Sequence, residues 1–250
     1  MKINKNQEII CGINVIETIL DLRPGSAKTL FVLDSISNSR INKILSAAKT
    51  SQIEISLKTK DFFSEYFEDQ NHQGLALLCN KRIEEQELFL DNLLEKESLL
   101  LLILDHITDP HNVGACLRSA AAANVDAVIV PKDRSCHLTP AVRKVSSGGS
   151  ELVPFVVVTN LVRTIKKMKL SNVNIVGAEK NGEMDYKEIV LEKKNALIIG
   201  SEDKGLKKLT AENCDTLISI DLPGGVESLN ASVACGILLF EFVSKSENFI

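Results

Sequence analysis

The chain has 250 residues, of which 44% are hydrophobic and 25% are charged, and its formal net charge is −4. These proportions are typical of a soluble globular protein, and the acidic balance argues against a general basic coat for nucleic acid. No apolar run approaches the length of a membrane span, and the first residues carry no hydrophobic signal core, so we expect a cytoplasmic protein without membrane contact.

Residues 1–80 contain short alternating elements, which predict a small α/β domain. The predicted elements are helices at 13–20 and 40–49 and strands at 29–33, 53–57 and 75–79. Residues 81–98 then hold three basic and six acidic residues. We expect this segment to be an acidic linker that carries a short helix.

From residue 99 to residue 250, continuous apolar runs alternate with helical patterns. The runs lie at 99–104, 127–130, 155–158, 174–176, 196–199 and 217–220. Apolar strands of this kind, alternating with helices, indicate a parallel sheet that is covered on both faces. In such sheets ligands bind beyond the carboxyl ends of the strands, so we expect the binding and catalytic residues directly after the apolar runs.

A first polar segment, DPHNVGACLRSA, follows the first run. We predict that Asn112 caps a helix there and that Arg118 lies about one and a half turns into it. Because helical side chains lean toward the N-terminus, Arg118 can reach back to the strand ends. The alternative interpretation is that Asn112 is only a helix cap and Arg118 only a surface charge, without a role in a site.

Neither histidines nor cysteines suggest a metal site. His106, Asp109 and His111 have a loop spacing that matches no metal-ligand pattern. The six cysteines are scattered without zinc-ligand spacing, which favours buried free thiols in a reducing compartment. We therefore expect no metal.

Basic residues gather between the second and third runs. Lys132, Arg134, Arg143 and Lys144 surround a single acid, Asp133. This pattern predicts a local basic patch that could bind phosphate, although a solvated loop would look the same.

A second polar segment, GSEDKGL, follows the fifth run. We expect Gly200 to end the strand, Gly205 to permit a tight return, and Glu202 to face a ligand beyond the sheet edge. The segment lacks the Gly-Lys-Ser/Thr ending of a phosphate loop, and no Gly-x-Gly-x-x-Gly follows the first run.

The third segment, IDLPGGVESLNAS, is the most informative of the three. It leads from an apolar run through Pro-Gly-Gly into a long apolar helix whose start holds Ser228, Asn230 and Ser232. The glycines allow the backbone to approach a ligand, and the first helical N–H groups are free to bind one. An ordinary helix cap is the alternative interpretation.

DPHNVGACLRSA, IIGSEDKGL and IDLPGGVESLNASVA together resemble the three ordered motifs of the SpoU (TrmH-like) RNA ribose 2′-O-methyltransferases. CGINVIETIL, NHQGLALL and SSGGSELVP resemble the subgroup that modifies large-subunit ribosomal RNA. The resemblance implies a small L30e-like N-terminal α/β domain that binds RNA, followed by a parallel-sheet α/β-knot methyltransferase domain with a deep trefoil knot. It also implies a homodimer in which the partner subunit completes each site.

The resemblance further implies S-adenosylmethionine as the cofactor and assigns roles to particular residues. It places the cofactor against the backbone of Gly200, Ile220 and Leu229. It implies that Arg118 engages the substrate phosphate. The residues that complete the implied catalytic site are Asn112, Glu202, Ser228 and Asn230.

The expected function is therefore methyl transfer from S-adenosylmethionine to a ribose 2′-hydroxyl of ribosomal RNA, specifically a guanosine in the peptidyl-transferase region of 23S rRNA. One alternative is a methyltransferase of the same fold that acts on tRNA or on another rRNA nucleotide. The other is a non-catalytic RNA-binding assembly factor with a vestigial site. The presence of Arg118, Glu202, Ser228 and Asn230 argues against this second alternative.

Overall fold

The computed structural model describes residues 3–67 and 72–246, which contain two β-sheets flanked by helices. The strands of the first sheet are β1 (Gln7–Cys11), β2 (Ala27–Leu33), β3 (Glu54–Lys58) and β4 (Leu75–Asn80). They lie in the order β1-β4-β2-β3, and only the β2–β3 pair is parallel. The helices of this part are α1 (Ile13–Leu22), α2 (Ser39–Thr50) and α3 (Lys60–Phe67).

The second sheet has eight strands, and every pair in it is parallel. Its strands are β5 (Glu85–Gln86), β6 (Leu99–Asp105), β7 (Ala127–Pro131), β8 (Phe155–Val158), β9 (Asn174–Ala178), β10 (Met184–Asp185), β11 (Lys194–Gly200) and β12 (Thr216–Ser219). Their order is β10-β12-β9-β11-β6-β7-β8-β5. The last strand in the chain, β12, therefore lies between two earlier strands, which is compatible with the knot that the resemblance implies.

Helices cover both faces of the second sheet. They are α4 (Leu88–Leu94), α5 (Pro110–Ala122), α6 (Pro140–Val145), α7 (Gly149–Leu152), α8 (Leu161–Leu170), α9 (Lys208–Ala211) and α10 (Ala231–Lys245). Successive residues of a strand face opposite sides, so Leu102 and Leu104 pack with α5 and α10, whereas Leu101 and Ile103 pack with α4 and α8. Burial of each such side chain stabilises the fold by about 1.5–3 kcal/mol.

The six predicted apolar runs are all strands of this parallel sheet, and the last of them ends one residue early, at Ser219. The predicted helices and strands of residues 1–80 are also present. The sequence pattern did not predict β1, α3, or the two-residue strands β5 and β10. Within 81–98, β5 pairs with β8, and the short helix α4 buries three leucines against the second sheet.

A network of internal ion pairs, which we call the junction network, connects the part of the chain that forms the first sheet with the part that forms the second sheet. Arg143 in α6 is fully buried, and it pairs with Glu8 of β1 and Glu151 of α7. Arg23, which follows α1, donates from Nε to Glu151 at 2.7 Å and from a terminal nitrogen to the carbonyl of Asn80 at 3.0 Å. The predicted basic patch is therefore wrong for Arg143, because internal carboxylates neutralise its charge.

None of the helices in the described part of the chain is both long and apolar enough to cross a membrane. All six cysteines are free, and four of them are buried. Burial raises the pKa of the Cys11 thiol to about 12, although the nearby charge of Lys144 opposes the shift. This thiol is therefore protonated and unreactive at neutral pH.

The buried carboxylate of Glu151 makes the stability of the junction network depend on pH. Burial by itself would raise the pKa of Glu151, but the charges and hydrogen bonds of Arg143 and Arg23 outweigh it, so the pKa lies below its usual value. The stabilisation is therefore complete above the unfolded-state pKa of about 4.3. It is lost as pH falls through the lower pKa of the folded state.

We expect Glu151→Gln to lower the free energy of unfolding at neutral pH by as much as about 3–5 kcal/mol, because it breaks a buried ion pair. The difference from the wild type should narrow in acid, below about pH 4. Urea unfolding across this pH range measures the free energy of unfolding. The control is Glu17→Gln, which removes an exposed ion pair with Arg40 and should change the free energy of unfolding little. A difference between wild type and Glu151→Gln that stays constant into acid would contradict this account.

Candidate functional site

Three polar segments meet at the carboxyl edge of the second sheet, and the first is the start of α5. Asp109, not Asn112, caps this helix: its side chain accepts from the His111 N–H at 3.0 Å, and Pro110 is the first helical residue. The prediction that Asn112 is the cap is therefore wrong. Because Asp109 satisfies the helix end, the buried side chain of Asn112 is free for other contacts.

The second segment is a closed loop after β11. Ser201 and Gly205 exchange two backbone hydrogen bonds, at 3.2 and 2.8 Å, so the loop returns on itself within four residues. Gly205 has a positive φ of 60°, and a Cβ there would lie 2.8 Å from Glu179 Oε1. A Cβ at Gly200 would lie 2.2 Å from the Gly205 carbonyl carbon. Both glycines are therefore needed for this loop to close.

The third segment is the start of α10, where Asn230 has two roles. Its Oδ1 accepts from the backbone N–H of Ser232 at 3.0 Å and from that of Val233 at 3.4 Å, which makes Asn230 the helix cap. Its Nδ2 donates to Asn112 Oδ1 at 2.9 Å. The capping and functional interpretations of this asparagine therefore do not exclude each other.

The carboxylate of Glu202 joins the three segments. Its Oε1 accepts from Asn112 Nδ2 at 2.9 Å, from Asn230 Nδ2, and from the backbone N–H of Ala231 at 3.2 Å. The last of these places a negative charge at the N-terminus of α10, where the helix dipole stabilises it. Three residues that were expected in the catalytic site therefore lie in direct contact: Asn112, Glu202 and Asn230.

A cavity of about 780 Å³ opens beside Glu202. Gly200, Ile220, Ser228 and Leu229 line it together with Glu202. Apolar side chains from the ends of β11 and β12 and from α10 form part of the wall: Ile199, Ile218 and Leu238. The three residues that the resemblance places against the cofactor therefore share one cavity with two of the expected catalytic residues.

The charge of this cavity fits S-adenosylmethionine, whose sulfonium and ammonium groups outnumber its single carboxylate. Five carboxylates line it, against two ammonium groups. These side chains are Glu179, Glu202, Asp203, Asp221 and Glu227, with Lys180 and Lys204. An excess of negative charge favours a cationic ligand, and the apolar wall offers a surface for an adenine ring.

Arg118 lies apart from this cavity. It is exposed on α5, and it makes no hydrogen bond or ion pair with the residues that the structure describes. It lies six positions after Asn112, which is about 9 Å along a helix. Asn112, Glu202 and Asn230 are therefore in direct contact, and Ser228 lines the cavity. Arg118 is not among the residues of its own chain that line the cavity.

Two acidic residues that the sequence pattern did not predict also support the site. Glu179 accepts from the backbone N–H of Leu206 at 3.3 Å and lines the cavity. Asp105 is fully buried, pairs with His106, and accepts from the backbone N–H of Lys207 at 2.8 Å. Each follows a predicted strand, so the rule that chemistry lies beyond carboxyl ends could have found both. Among residues 3–67 and 72–246, no cluster of three potential metal ligands occurs.

Two protein families match the chain, and together they extend over both parts of the fold. The SpoU rRNA Methylase family matches residues 99–240. The family described as RNA 2′-O ribose methyltransferase substrate binding matches residues 9–84. The resemblance inferred from the three motifs is therefore confirmed.

Full-length relatives are similar along nearly the whole chain. The 23S rRNA (guanosine-2′-O-)-methyltransferase RlmB of Coxiella burnetii is 42% identical over 240 residues, which are 95% of this chain and 96% of the relative. The RlmB of Escherichia coli strain K12 is 40% identical over 239 residues, which are 95% of this chain and 98% of the relative.

A solved structure has the same fold at low sequence identity. The SpoU methyltransferase AviRb from Streptomyces viridochromogenes, in complex with AdoMet, has a TM-score of 0.78 and 22% identity. The alignment covers 96% of this chain and 90% of that chain. The predicted fold class, an N-terminal α/β domain followed by a parallel α/β-knot methyltransferase domain, is confirmed.

Because Glu202 joins three segments through one carboxylate, we expect Glu202→Gln to loosen all three. Hydrogen bonds to a charged acceptor contribute about 1.5–3 kcal/mol and those to a neutral one about 0.5–1.5, so each bond that weakens should cost on the order of 1 kcal/mol. Each kcal/mol lost lowers Tm by about 2–4 °C for a domain of this size. Thermal unfolding measures it.

Asp203→Asn is the matched control for this substitution. Asp203 is the neighbouring cavity residue, and its side chain makes no hydrogen bond within the described part of the chain. Its variant should stay within about 0.5 kcal/mol of the wild type. Equal losses in both variants would mean that Glu202 does not hold the three segments together.

Proposed function

We propose, because the chain belongs to the SpoU rRNA methylase family, that it transfers a methyl group from S-adenosylmethionine to the 2′-hydroxyl of a guanosine in 23S ribosomal RNA. The observation that carries this proposal is the convergence of three remote segments on Glu202 beside an acidic cavity. The names of relatives that are 40–42% identical along 95% of the chain support the choice of RNA and nucleotide.

A methylation assay tests this function directly. The wild-type protein is incubated with methyl-labelled S-adenosylmethionine and 23S rRNA from cells that lack the protein, and the RNA is then digested to nucleosides. We expect the label in 2′-O-methylguanosine. Label on a base, or on tRNA in preference to 23S rRNA, would overturn the proposal. That the guanosine lies in the peptidyl-transferase region stays a prediction.

The residues around the cavity would hold the cofactor. Gly200, Ile220 and Leu229, whose backbone the resemblance places against the cofactor, line it, and its carboxylates offset the cofactor's positive charge. When bound, S-adenosylmethionine supplies an electrophilic methyl group. The chain itself must then align the ribose oxygen with that group and provide a path for the departing proton.

We assign the alignment to Arg118. A guanidinium is protonated at any working pH, so it is a poor general base but a strong two-pronged ligand for a phosphate. Held in this way, the substrate phosphate fixes the neighbouring ribose, and the positive charge offsets negative charge that develops on the oxygen. The proton of the 2′-hydroxyl leaves through the phosphate, Ser228 or water. Asn112, Glu202 and Asn230 hold the three segments of the site together by their hydrogen bonds.

We also propose a homodimer in which the partner subunit completes each site. Val233, Ile237 and Phe240 are spaced along one face of α10 and are exposed by 48%, 37% and 50%. An exposed apolar helix face of this kind favours contact with a protein partner. Arg118, which stands outside the cavity of its own chain, supports the same arrangement.

The remaining assignments concern organisation and location. We propose residues 1–80 as the RNA-binding domain, 81–98 as the acidic linker, and 99–250 as the methyltransferase domain. The separate family matches to residues 9–84 and 99–240 support this division. The substrate, a ribosomal RNA, supports a cytoplasmic location.

We expect Arg118→Ala to reduce single-turnover methylation of 23S rRNA well over a hundredfold. Loss of one charge-assisted contact costs about 1.5–3 kcal/mol, and misalignment of the reacting atoms adds to it. Arg118→Lys should also be severely impaired, because an ammonium lacks the planar fork. Calorimetric affinity for S-adenosylmethionine should change little in both variants.

The matched control is Arg163→Ala, which removes an exposed arginine of α8 that pairs with Glu87. It should keep wild-type turnover. Near-wild-type turnover in Arg118→Lys would rule out the phosphate clamp, and so would a loss of turnover in Arg118→Ala that a lower Tm fully explains.

The dimer is tested by placing a charge on the exposed face of α10. We expect Phe240→Glu to be a monomer in light scattering at micromolar concentration and to lose methylation, because a buried unpaired charge opposes association. Leu170→Glu introduces the same charge at a position of α8 that is 88% exposed, and it should remain a dimer. A wild-type protein with the mass of one chain would overturn the proposed assembly.

A further inference from the structure

The sequence SSGGSE at 146–151, which we call the junction segment, follows α6, includes the first three residues of α7, and has no role in the function proposed above. All of its residues except Ser147 are buried. It touches the N-terminal domain on one side and the helix that carries Arg118 on the other. Its two glycines show how close these approaches are.

Gly148 makes the contact with the N-terminal domain. It has a positive φ of 98°, and a Cβ at this position would lie 2.4 Å from Thr18 Oγ1 in α1. A contact this short leaves no room for a side chain. The backbone of the junction segment therefore rests directly against α1.

Gly149 makes the contact with α5. A Cβ there would lie 2.7 Å from the carbonyl oxygen of Leu117 and 3.0 Å from the Cα of Arg118. A second close approach lies one turn earlier in α5, where a Cβ at Gly114 would be 2.6 Å from Val145 Cβ. The backbone that carries Arg118 is thus packed against Gly149, the residue next to the one that touches α1.

The junction network fixes this packing with charge. Glu151, at the end of the junction segment, binds Arg143 and Arg23, and Arg143 in turn binds Glu8 of β1. Both Glu8 and Arg143 are buried, so this pair is poorly screened by solvent. Arg82 adds two hydrogen bonds, to the carbonyl oxygens of Ser150 and Val153.

We infer that the junction segment and its ion pairs hold the N-terminal domain in a fixed position relative to Arg118, so that Glu8 and Glu151 are positioning residues for methyl transfer. Because the contacts on both sides are close-packed, a displacement of α1 must be passed to the backbone of α5. RNA held by the N-terminal domain then reaches Arg118 in one register. This inference rests on the proposed function, in which RNA is the substrate and Arg118 aligns it.

The test uses Glu8→Gln in the full-length protein, because it removes a charge of the N-terminal domain and leaves residues 99–250 unchanged. We expect kcat for methylation of 23S rRNA to fall roughly tenfold or more, since small misplacements of reacting groups have large effects on rate. KM for the RNA and affinity for S-adenosylmethionine should stay within about twofold. Gly148→Ala, which fills the contact with Thr18, should have the same effect on kcat.

Two matched controls accompany these variants. Glu17→Gln removes an ion pair that stays within the N-terminal domain. Gly25→Ala adds a methyl group where nothing lies within 4 Å. Both should keep the wild-type kcat. A tether that only concentrates RNA would instead show a raised KM and an unchanged kcat in Glu8→Gln, and that result would overturn the inference.

Hydrogen–deuterium exchange provides a readout that does not depend on methylation. In Glu8→Gln, amide exchange should rise in the part of α5 around Leu117 and Arg118, and in Glu17→Gln it should not. Unchanged exchange there in Glu8→Gln would overturn the inference, whatever the kinetics. If the wild type methylates no RNA, the proposed function fails, and the exchange measurement still decides whether the junction couples α1 to α5.

Discussion

The site depends on one carboxylate that must satisfy three donors from distant parts of the chain. Glu202 can accept from Asn112, Asn230 and the Ala231 N–H only if the loop after β11 closes tightly and α10 starts beside α5. Gly200, Gly205 and the backbone hydrogen bonds between Ser201 and Gly205 meet the first requirement. The apolar core shared by α5 and α10 meets the second. The fold therefore brings the three motifs together before any ligand binds.

The residues that we propose for cofactor binding and for substrate alignment lie apart in this protein. The carboxylate-rich cavity lies in the described part of a single chain, whereas Arg118 stands on the exposed side of α5. A cationic cofactor and an anionic RNA need opposite charges, and a distance between the two sets of residues keeps each from neutralising the other. This separation gives the packing of α5 a function. Whatever fixes α5, including the junction segment, also fixes Arg118, the group that we propose meets the RNA.

The sequence predicted the central strands well because parallel strands buried on both faces are continuously apolar. It missed β5 and β10, since two-residue edge strands such as Glu85–Gln86 have no apolar pattern to read. It assigned the wrong cap to α5, because Asp109 and Asn112 both suit that position. It placed Arg143 on the surface, since its partner Glu8 lies 135 residues away. Local patterns thus locate the motifs, but contacts between distant residues need the structure.

The central claim is that the acidic cavity beside Glu202 holds the adenosyl cofactor and that the RNA ribose approaches it near Arg118. A crystal structure of the protein with S-adenosylhomocysteine, the product of methyl transfer, tests this most directly. The account predicts the ligand in the cavity, against the backbone of Gly200, Ile220 and Leu229, with its sulfur open toward the surface that carries Arg118. A ligand bound elsewhere, or a sulfur that faces away from Arg118 of both subunits, would contradict it.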